Sequence, residues 1–415
     1  MDSDVVVVGA GVAGLTCARA LRRRGLDVRV LESGDVVGGR VRSERVDNFT
    51  LDRGFQLLNP AYPALRDVVD LGALRLQPFL AGVAVRRDDG LALLADPRRA
   101  PARLRETLGS GYLRPGELVA LARWAAPALG PVAALEQGPD ATLGASLTAA
   151  GVHGRIRHEV LEPFLAGVLG DESQTTSAAF VRLLVRSFLR GTPGLPAGGM
   201  AALPAQLADG LDVTTGVRVQ AVAAVPGGQE VHADGSVLRA PAVVVAADPV
   251  TAALLTGLEP PRMRGLVTTW WAAQGVARTD AVVVDGRRRG PVVNAALVSA
   301  VAQSYAPAGA QLVQATCVLP PSGAVGPDAS EVRRQAGEML GADPRGWREL
   351  ATHEVREALP ATPPPLRVRQ PVDLGGGRYV CGDHRDTPSL QGAVVSGRRA
   401  ATAVARRLLG DGPRA

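Results

Sequence analysis

The stretch that most restricts the fold is Asp4-Val5-Val6-Val7-Val8-Gly9-Ala10-Gly11-Val12-Ala13-Gly14-Leu15. Four consecutive valines are apolar on both faces, the pattern of a strand buried inside a parallel sheet. Gly9, Gly11 and Gly14 then fit G-x-G-x-x-G. Leu15 to Arg24 has helical periodicity, and Gly25 follows as its stop. Asp27 to Leu31 reads as a second strand, closed by Glu32. A strand, a glycine turn, a helix and a second strand in this order make a dinucleotide-binding unit. Gly9 permits the tight turn, Gly11 lets backbone approach a pyrophosphate, and Gly14 lets the helix pack close to the strand. The helix N-terminus faces the phosphates, with Val12 and Ala13 in the glycine loop just before it. Glu32, with Ser33 beside it, stands where a carboxylate accepts hydrogen bonds from ribose hydroxyls. The same carboxylate would repel a 2′-phosphate, which disfavours NADP.

A chain of 415 residues, 46% of them hydrophobic, is too long for one small core. It predicts two domains, or one with a large insertion. Three cysteines make neither a disulfide framework nor a metal site, so no metal is expected and a reducing, cytoplasmic setting suits the chain. The start Met1-Asp2-Ser3-Asp4 lacks the positive charge of a signal peptide. No apolar run reaches the ~18 residues of a membrane span, which leaves only peripheral membrane contact open. The net charge is +6, and every basic residue is an arginine. Arg22-Arg23-Arg24 and Arg287-Arg288-Arg289 read as solvated basic faces. Aromatics at 3% leave little for base stacking, so no nucleic-acid partner is expected. Without lysine, Schiff-base catalysis is excluded.

A second glycine pair, Gly38-Gly39-Arg40, follows the ribose carboxylate, and an arginine fork there suits phosphate oxygens. Near the other end stands a second glycine turn into a helix, Gly382-Asp383 followed by Leu390-Gln391-Gly392-Ala393. Together with "LDRGFQLLNPAYP", "PAGGMAALPAQLA" and "APAVVVAADP", these segments resemble FAD-dependent oxidoreductases of the flavin amine oxidase, protoporphyrinogen oxidase and phytoene desaturase superfamily. The resemblance implies an α/β fold: a glutathione-reductase-like FAD-binding Rossmann domain with a second, mixed-sheet plus helical substrate domain. It implies a discontinuous FAD domain at 1–80, 195–250 and 370–415, and a substrate domain at 81–194 and 251–369. It also implies non-covalent FAD stretched between two clamps. The first loop would hold adenosine and pyrophosphate, with Val219 a backbone contact to adenine. Asp383 would meet the ribityl chain or the pyrophosphate. The helix start at Leu390–Ala393 would face the pyrimidine edge, where its positive end stabilises charge on the reduced ring. "LDRGFQLLN" would pass beside the ring, with Gly54 and Phe55 close to it.

Within the implied substrate domain, 98–190 reads as helix-rich and 267–318 as strands. Trp270 and Trp271 are adjacent, so one faces each side of a strand. Pro360 to Leu366 is a proline-rich connector.

Flavin performs the hard step itself, so a strong catalytic motif is not required and none is present. Arg53, Gln56 and Asn59 are candidates to line the ring or the substrate cavity, against the alternative of turn-forming and helix-capping roles. His384 is the histidine beside a cofactor motif and a candidate base, against an ordinary loop histidine. Cys381 reads as a core residue rather than a flavin attachment point. Many flavin amine oxidases carry a lysine near the flavin and two flanking aromatic rings. This chain has no lysine and no aromatic residue in "HRDTPSLQG". The expected activity is therefore hydride removal from a carbon of an apolar or alicyclic small molecule, of the dehydrogenase or desaturase type, with reoxidation by a quinone or O2. The alternatives are an unusual amine oxidase and a non-catalytic flavin-binding protein.

Overall fold

The computed structural model describes residues 2–320 and 326–410. Met1 and the last five residues of the segment 370–415 lie outside the described residues. A five-stranded sheet, parallel throughout, runs in the order Arg378–Val380, Ala242–Val245, Val5–Val8, Val28–Leu31, Asp212–Thr214. The valine run is its central strand. Val5, Val6 and Val7 are fully buried because both faces of this sheet are covered. Val5 and Val7 point into the core shared with the helices Val12–Arg22 and Leu390–Leu409. Val6 and Val8 point into a second core. That second core is closed by a three-stranded antiparallel meander, Val219–Val225, Gly228–Ala233 and Ser236–Ala240. Helices, parallel sheet and meander are thus three layers.

The N-terminal and C-terminal helices pack directly on each other. A Cβ added to Gly397 would lie 2.3 Å from the Ala13 carbonyl oxygen, so glycine there sets the helix separation.

A second sheet has seven strands in the order Arg348–Pro360, Met263–Ala273, Gln311–Leu319, Val292–Leu297, Val282–Asp285, Gly82–Arg87, Gly90–Ala95. Neighbours are antiparallel except Val282–Asp285 against Gly82–Arg87. Trp270 enters the core shared with the parallel-sheet unit. Trp271 enters the opposite core, where it meets Trp347 with ring centroids 5.9 Å apart. The period of two thus divides adjacent tryptophans between two cores. Helices between 101 and 190 form a separate cluster around Trp124, Leu147, Phe180 and Leu184.

The structure corrects some local expectations. The first helix is Val12–Arg22 rather than Leu15–Arg24, because the glycine turn passes straight into helical backbone. The strand Arg348–Pro360 has no counterpart in the sequence reading. It is an edge strand, where charged residues protect an unpaired side, and its Glu and Arg content hides it. The strands at 82–87 and 90–95 were likewise not anticipated.

Candidate functional site: two glycine clamps joined by an ion pair

Gly9 has φ +106°, and a Cβ there would stand 2.7 Å from the Ala246 carbonyl oxygen. At Gly14 a Cβ would lie 2.1 Å from the Gly9 carbonyl oxygen. These two glycines are packing requirements. Gly11 differs: nothing lies within 4 Å of its added Cβ, so its side of the loop is open. Gly11 is also the N-cap of the helix, with no side-chain cap and no acidic residue in the first turn. The first N–H groups of a helix lack intrahelical acceptors. At Val12, Ala13 and Gly14 no N-cap side chain bonds them, which leaves a positive end suited to an anion.

Gly38 and Gly39 press on this loop. The Gly38 N–H donates to the Ala10 carbonyl at 2.8 Å, and a Cβ on Gly39 would come within 3.3 Å of the Gly11 Cα. Glu32 is tied to the same place. Its Oε2 accepts from the Ala10 N–H and its Oε1 from the Gly34 N–H, both at 2.7 Å. The Ser33 hydroxyl lies 3.5 Å from Glu32 Oε1. Backbone bonds from Glu32 to Thr214 and from Val217 to Glu32 bring the segment leading to Val219 alongside. Val219 itself is buried.

The second clamp starts where Cys381 follows the strand Arg378–Val380. Gly382 has φ +155°, and its N–H donates to Ser396 Oγ at 3.0 Å. Asp383 is buried, and its Oδ1 pairs with Arg40 Nη2 at 2.6 Å. Arg40 Nη1 donates to the Ala358 carbonyl at 2.8 Å, and Gln56 Nε2 donates to the Arg40 carbonyl at 2.8 Å. Arg40 therefore joins both clamps to the edge strand of the large sheet. Burial works against its charge, yet the Asp383, Asp248 and Glu357 carboxylates around it hold its pKa above the ordinary value. Burial and the neighbouring Asp248 carboxyl raise Glu357.

His384 packs its ring on Gly382, where a Cβ would come within 2.5 Å of ring atoms. Burial lowers its pKa to about 4, with Arg385 and Arg40 adding to the effect, so the imidazole is neutral at pH 7. Its Nδ1 is buried and has no hydrogen-bond partner.

The C-terminal helix starts at Leu390, capped by Ser389 Oγ, which accepts from the Gly392 N–H at 3.1 Å. The Ala393 N–H donates to the Ser389 carbonyl at 3.0 Å. Leu390 and Gln391 are left as the residues whose N–H groups stand at the helix start. The Gln391 side chain turns away, accepting from the Ala64 N–H at 3.0 Å.

Gly54 has φ +95° with open space at its Cβ position. Phe55 packs edge-on against Phe79, centroids 5.7 Å apart. Arg53 is exposed. Asn59 Oδ1 accepts from the Ala61 N–H, a turn-forming bond within a buried loop. Cys381 and Cys17 are free thiols buried in the main core.

Sequence reading missed Ala246, Asp248, Glu357, Ala358 and Ser396. Ser389 was missed as well, although a serine just before an apolar run is the signal of a helix cap. The Ala358 carbonyl had no signal, because any residue type can present it.

The two glycine turns thus follow the carboxyl ends of parallel strands, and Arg40 and Asp383 join them beside the large mixed sheet. Residues 12–286 match the family of flavin containing amine oxidoreductases, and the chain belongs to it. Members of this family are flavin-dependent oxidoreductases. Putrescine oxidase of Kocuria rosea is 45% identical over 86 residues, 20% of this chain and 18% of that protein. Hydroxyneurosporene desaturase of Rubrivivax gelatinosus is 38% identical over 120 residues, 25% of this chain and 22% of that protein. The chain thus matches under a quarter of the length of either curated relative. The fold extends much further. Cyclohexylamine oxidase from Brevibacterium oxydans IH-35A superposes with a TM-score of 0.70 at 17% identity, covering 99% of this chain and all of the other. Among the described residues, no helix is long and apolar enough to cross a membrane.

Proposed function

We propose that the chain removes a hydride and a proton from an apolar or alicyclic small molecule. The reaction would leave a C=C or C=N bond and pass two electrons to a quinone or to O2. Bound FAD would supply the hydride acceptor. The FAD unit would comprise 1–80, 195–250 and 370–415, with 81–194 and 251–369 as the substrate unit. Gly9 to Gly14, Glu32, Ser33 and Val219 would hold the adenosine and pyrophosphate end. Gly38, Gly39 and Arg40 would meet the phosphates. Gly54, Phe55 and Gln56 would lie by the ring, Gly382 and Asp383 by the ribityl chain, and Leu390 to Ala393 by the pyrimidine edge. The open side of Gly11 beside an uncapped helix start supports a pyrophosphate there.

The observation that carries the reading is the segment from His384 to Gln391. It holds no phenylalanine, tyrosine or tryptophan and one neutral imidazole whose buried Nδ1 is unpartnered, in a chain without lysine. That is poor equipment for caging a cationic amine. The likeness to putrescine oxidase supports the second reading, an amine oxidase with a different pocket.

The test is anaerobic mixing of the yellow enzyme with polyenes, porphyrinogens and amines while the flavin absorbance is followed. Bleaching by a polyene or porphyrinogen supports the proposal. Bleaching by amines alone supports the second reading. No bleaching by any of them would favour a non-catalytic flavoprotein.

A further inference from the structure

Asp52 ends the strand Phe49–Asp52, immediately before Arg53-Gly54-Phe55-Gln56. It is 1% exposed, yet no arginine pairs with it among the described residues. Three neutral donors hold the carboxylate instead, from three separate parts of the chain. Ser43 Oγ donates to Oδ1 at 2.5 Å, the Met200 N–H to Oδ1 at 2.9 Å, and Tyr305 Oη to Oδ2 at 2.9 Å. The Ala201 N–H donates on to Ser43 Oγ at 2.9 Å. Gly199 makes room for this arrangement, since a Cβ there would lie 2.6 Å from Ser43 Oγ. A buried carboxylate with no cation bonded to it is costly unless its acceptors are used. Its retention here asks for a role beyond packing.

Tyr305 is fully buried and belongs to the part of the chain that builds the large mixed sheet, following Val292–Leu297. Asp52 belongs to the hairpin Ser43–Asp52, beside the glycine clamps. One hydrogen bond therefore ties the two units together at the point where the 53–57 segment begins. That segment is anchored again at Leu58, whose N–H and carbonyl pair with Gly194 at 2.9 and 3.0 Å. Between the anchors, Gln56 bonds the Arg40 carbonyl and Gly54 lies open. The placement of 53–57 is thus set at its two ends and, between them, by the Gln56 bond and the packing of Phe55 on Phe79.

We infer that Asp52 and Tyr305 are a positioning pair that fixes the 53–57 segment, and the mixed sheet with it, relative to the flavin ring. The inference rests on the proposed placement of that segment beside the ring. Neither residue is assigned contact with substrate. A shift of about an ångström in such a segment costs roughly a hundredfold in a reacting geometry.

The experiment uses FAD-loaded parent, Asp52→Asn, Tyr305→Phe and the double variant. Both replacements keep shape and remove charge or a single donor. Sulfite is titrated into each protein and the loss of flavin absorbance gives its affinity, a reading that needs no substrate. Visible circular dichroism of the bound flavin reports ring placement. Each single variant is expected to keep stoichiometric FAD, to change sulfite affinity about tenfold or more, and to alter the dichroism. The double variant should change no further than the larger single change, because both replacements act on the same Asp52–Tyr305 contact. Parental affinity and dichroism in the single variants, or independent effects that multiply in the double variant, would overturn the inference. A variant that loses its fold is judged by Tyr305→Phe, which removes only one hydroxyl. Failure of the parent to bind FAD at all would strike the proposed cofactor placement and is read separately, from flavin content before sulfite is added.

Discussion

At the residue scale, Glu32 is already committed to two backbone N–H groups of its own loops. A carboxylate has capacity for further acceptor bonds, so the proposed ribose contact adds to these and does not replace them. Glu32→Ala is expected to weaken FAD binding by about 1.5–3 kcal/mol for each charge-assisted bond lost. Glu32→Gln should recover part of it. Equilibrium titration of apoprotein with FAD, followed by flavin fluorescence, checks this, and unchanged affinity in the alanine variant would remove Glu32 from the ribose site.

Two other residues make opposed contributions to the pH dependence of stability. Burial raises Asp52 to about 6, against the hydrogen bonds from Ser43, Met200 and Tyr305 and the charge of His353. From about pH 4 to 6 the folded chain therefore keeps a proton that the unfolded chain has lost, and this contribution to stability falls as pH rises. Burial lowers His384 to about 4. From about pH 4 to 6.5 the unfolded chain holds a proton that the folded chain lacks, so this contribution rises with pH. Melting temperatures measured across this window should thus have a more positive slope in Asp52→Asn than in the parent, and a more negative slope in His384→Asn. Parallel curves for all three would show that neither group titrates as its burial implies.

At the element scale, the contact between the N-terminal and C-terminal helices matters most for the site, because each helix start belongs to one clamp. Gly397 faces the Ala13 carbonyl, and a methyl there would stand 2.3 Å from backbone that cannot yield locally. Gly397→Ala is expected to push the helices apart, cost about 1–3 kcal/mol or more of stability, and lower FAD affinity in parallel. Gly11→Ala makes the useful comparison. Its methyl meets nothing within 4 Å in the protein, so it should melt near the parental temperature while binding FAD poorly. Thermal melts with and without excess FAD distinguish the two. A Gly11→Ala protein with parental FAD affinity would mean that the open side of the loop is not where the cofactor lies.

At the scale of the whole molecule, the chain carries no lysine to place a positive charge by the flavin. Arg385 is turned to the Pro371 carbonyl and to Gln370, and Arg53 is exposed. Less stabilisation of developing superoxide should slow reoxidation by dioxygen, roughly tenfold to a thousandfold relative to a site that has such a charge. Photoreduced enzyme mixed with air-saturated buffer, or with an equal concentration of a soluble quinone, is expected to reoxidise faster with the quinone. A clear advantage for dioxygen would favour the oxidase reading.

What the sequence by itself determined is the local form of the two glycine turns and the class of fold. The valine run, the glycine spacing and Glu32 are short-range signals, since strand periodicity and the φ and close-approach demands at Gly9 and Gly14 act over a few residues. The division of Trp270 and Trp271 between two cores was legible for the same reason. Tertiary structure alone decided what those signals meet. Arg40 finds Asp383 and Ala358 across hundreds of residues of chain, Gln391 turns to cap Ala64, and Asp52 gathers Ser43, Met200 and Tyr305. The edge strand Arg348–Pro360 also forms only because its neighbour supplies a ladder. Such pairings depend on where distant segments are brought by packing of the two sheets, and neither period nor propensity encodes that distance.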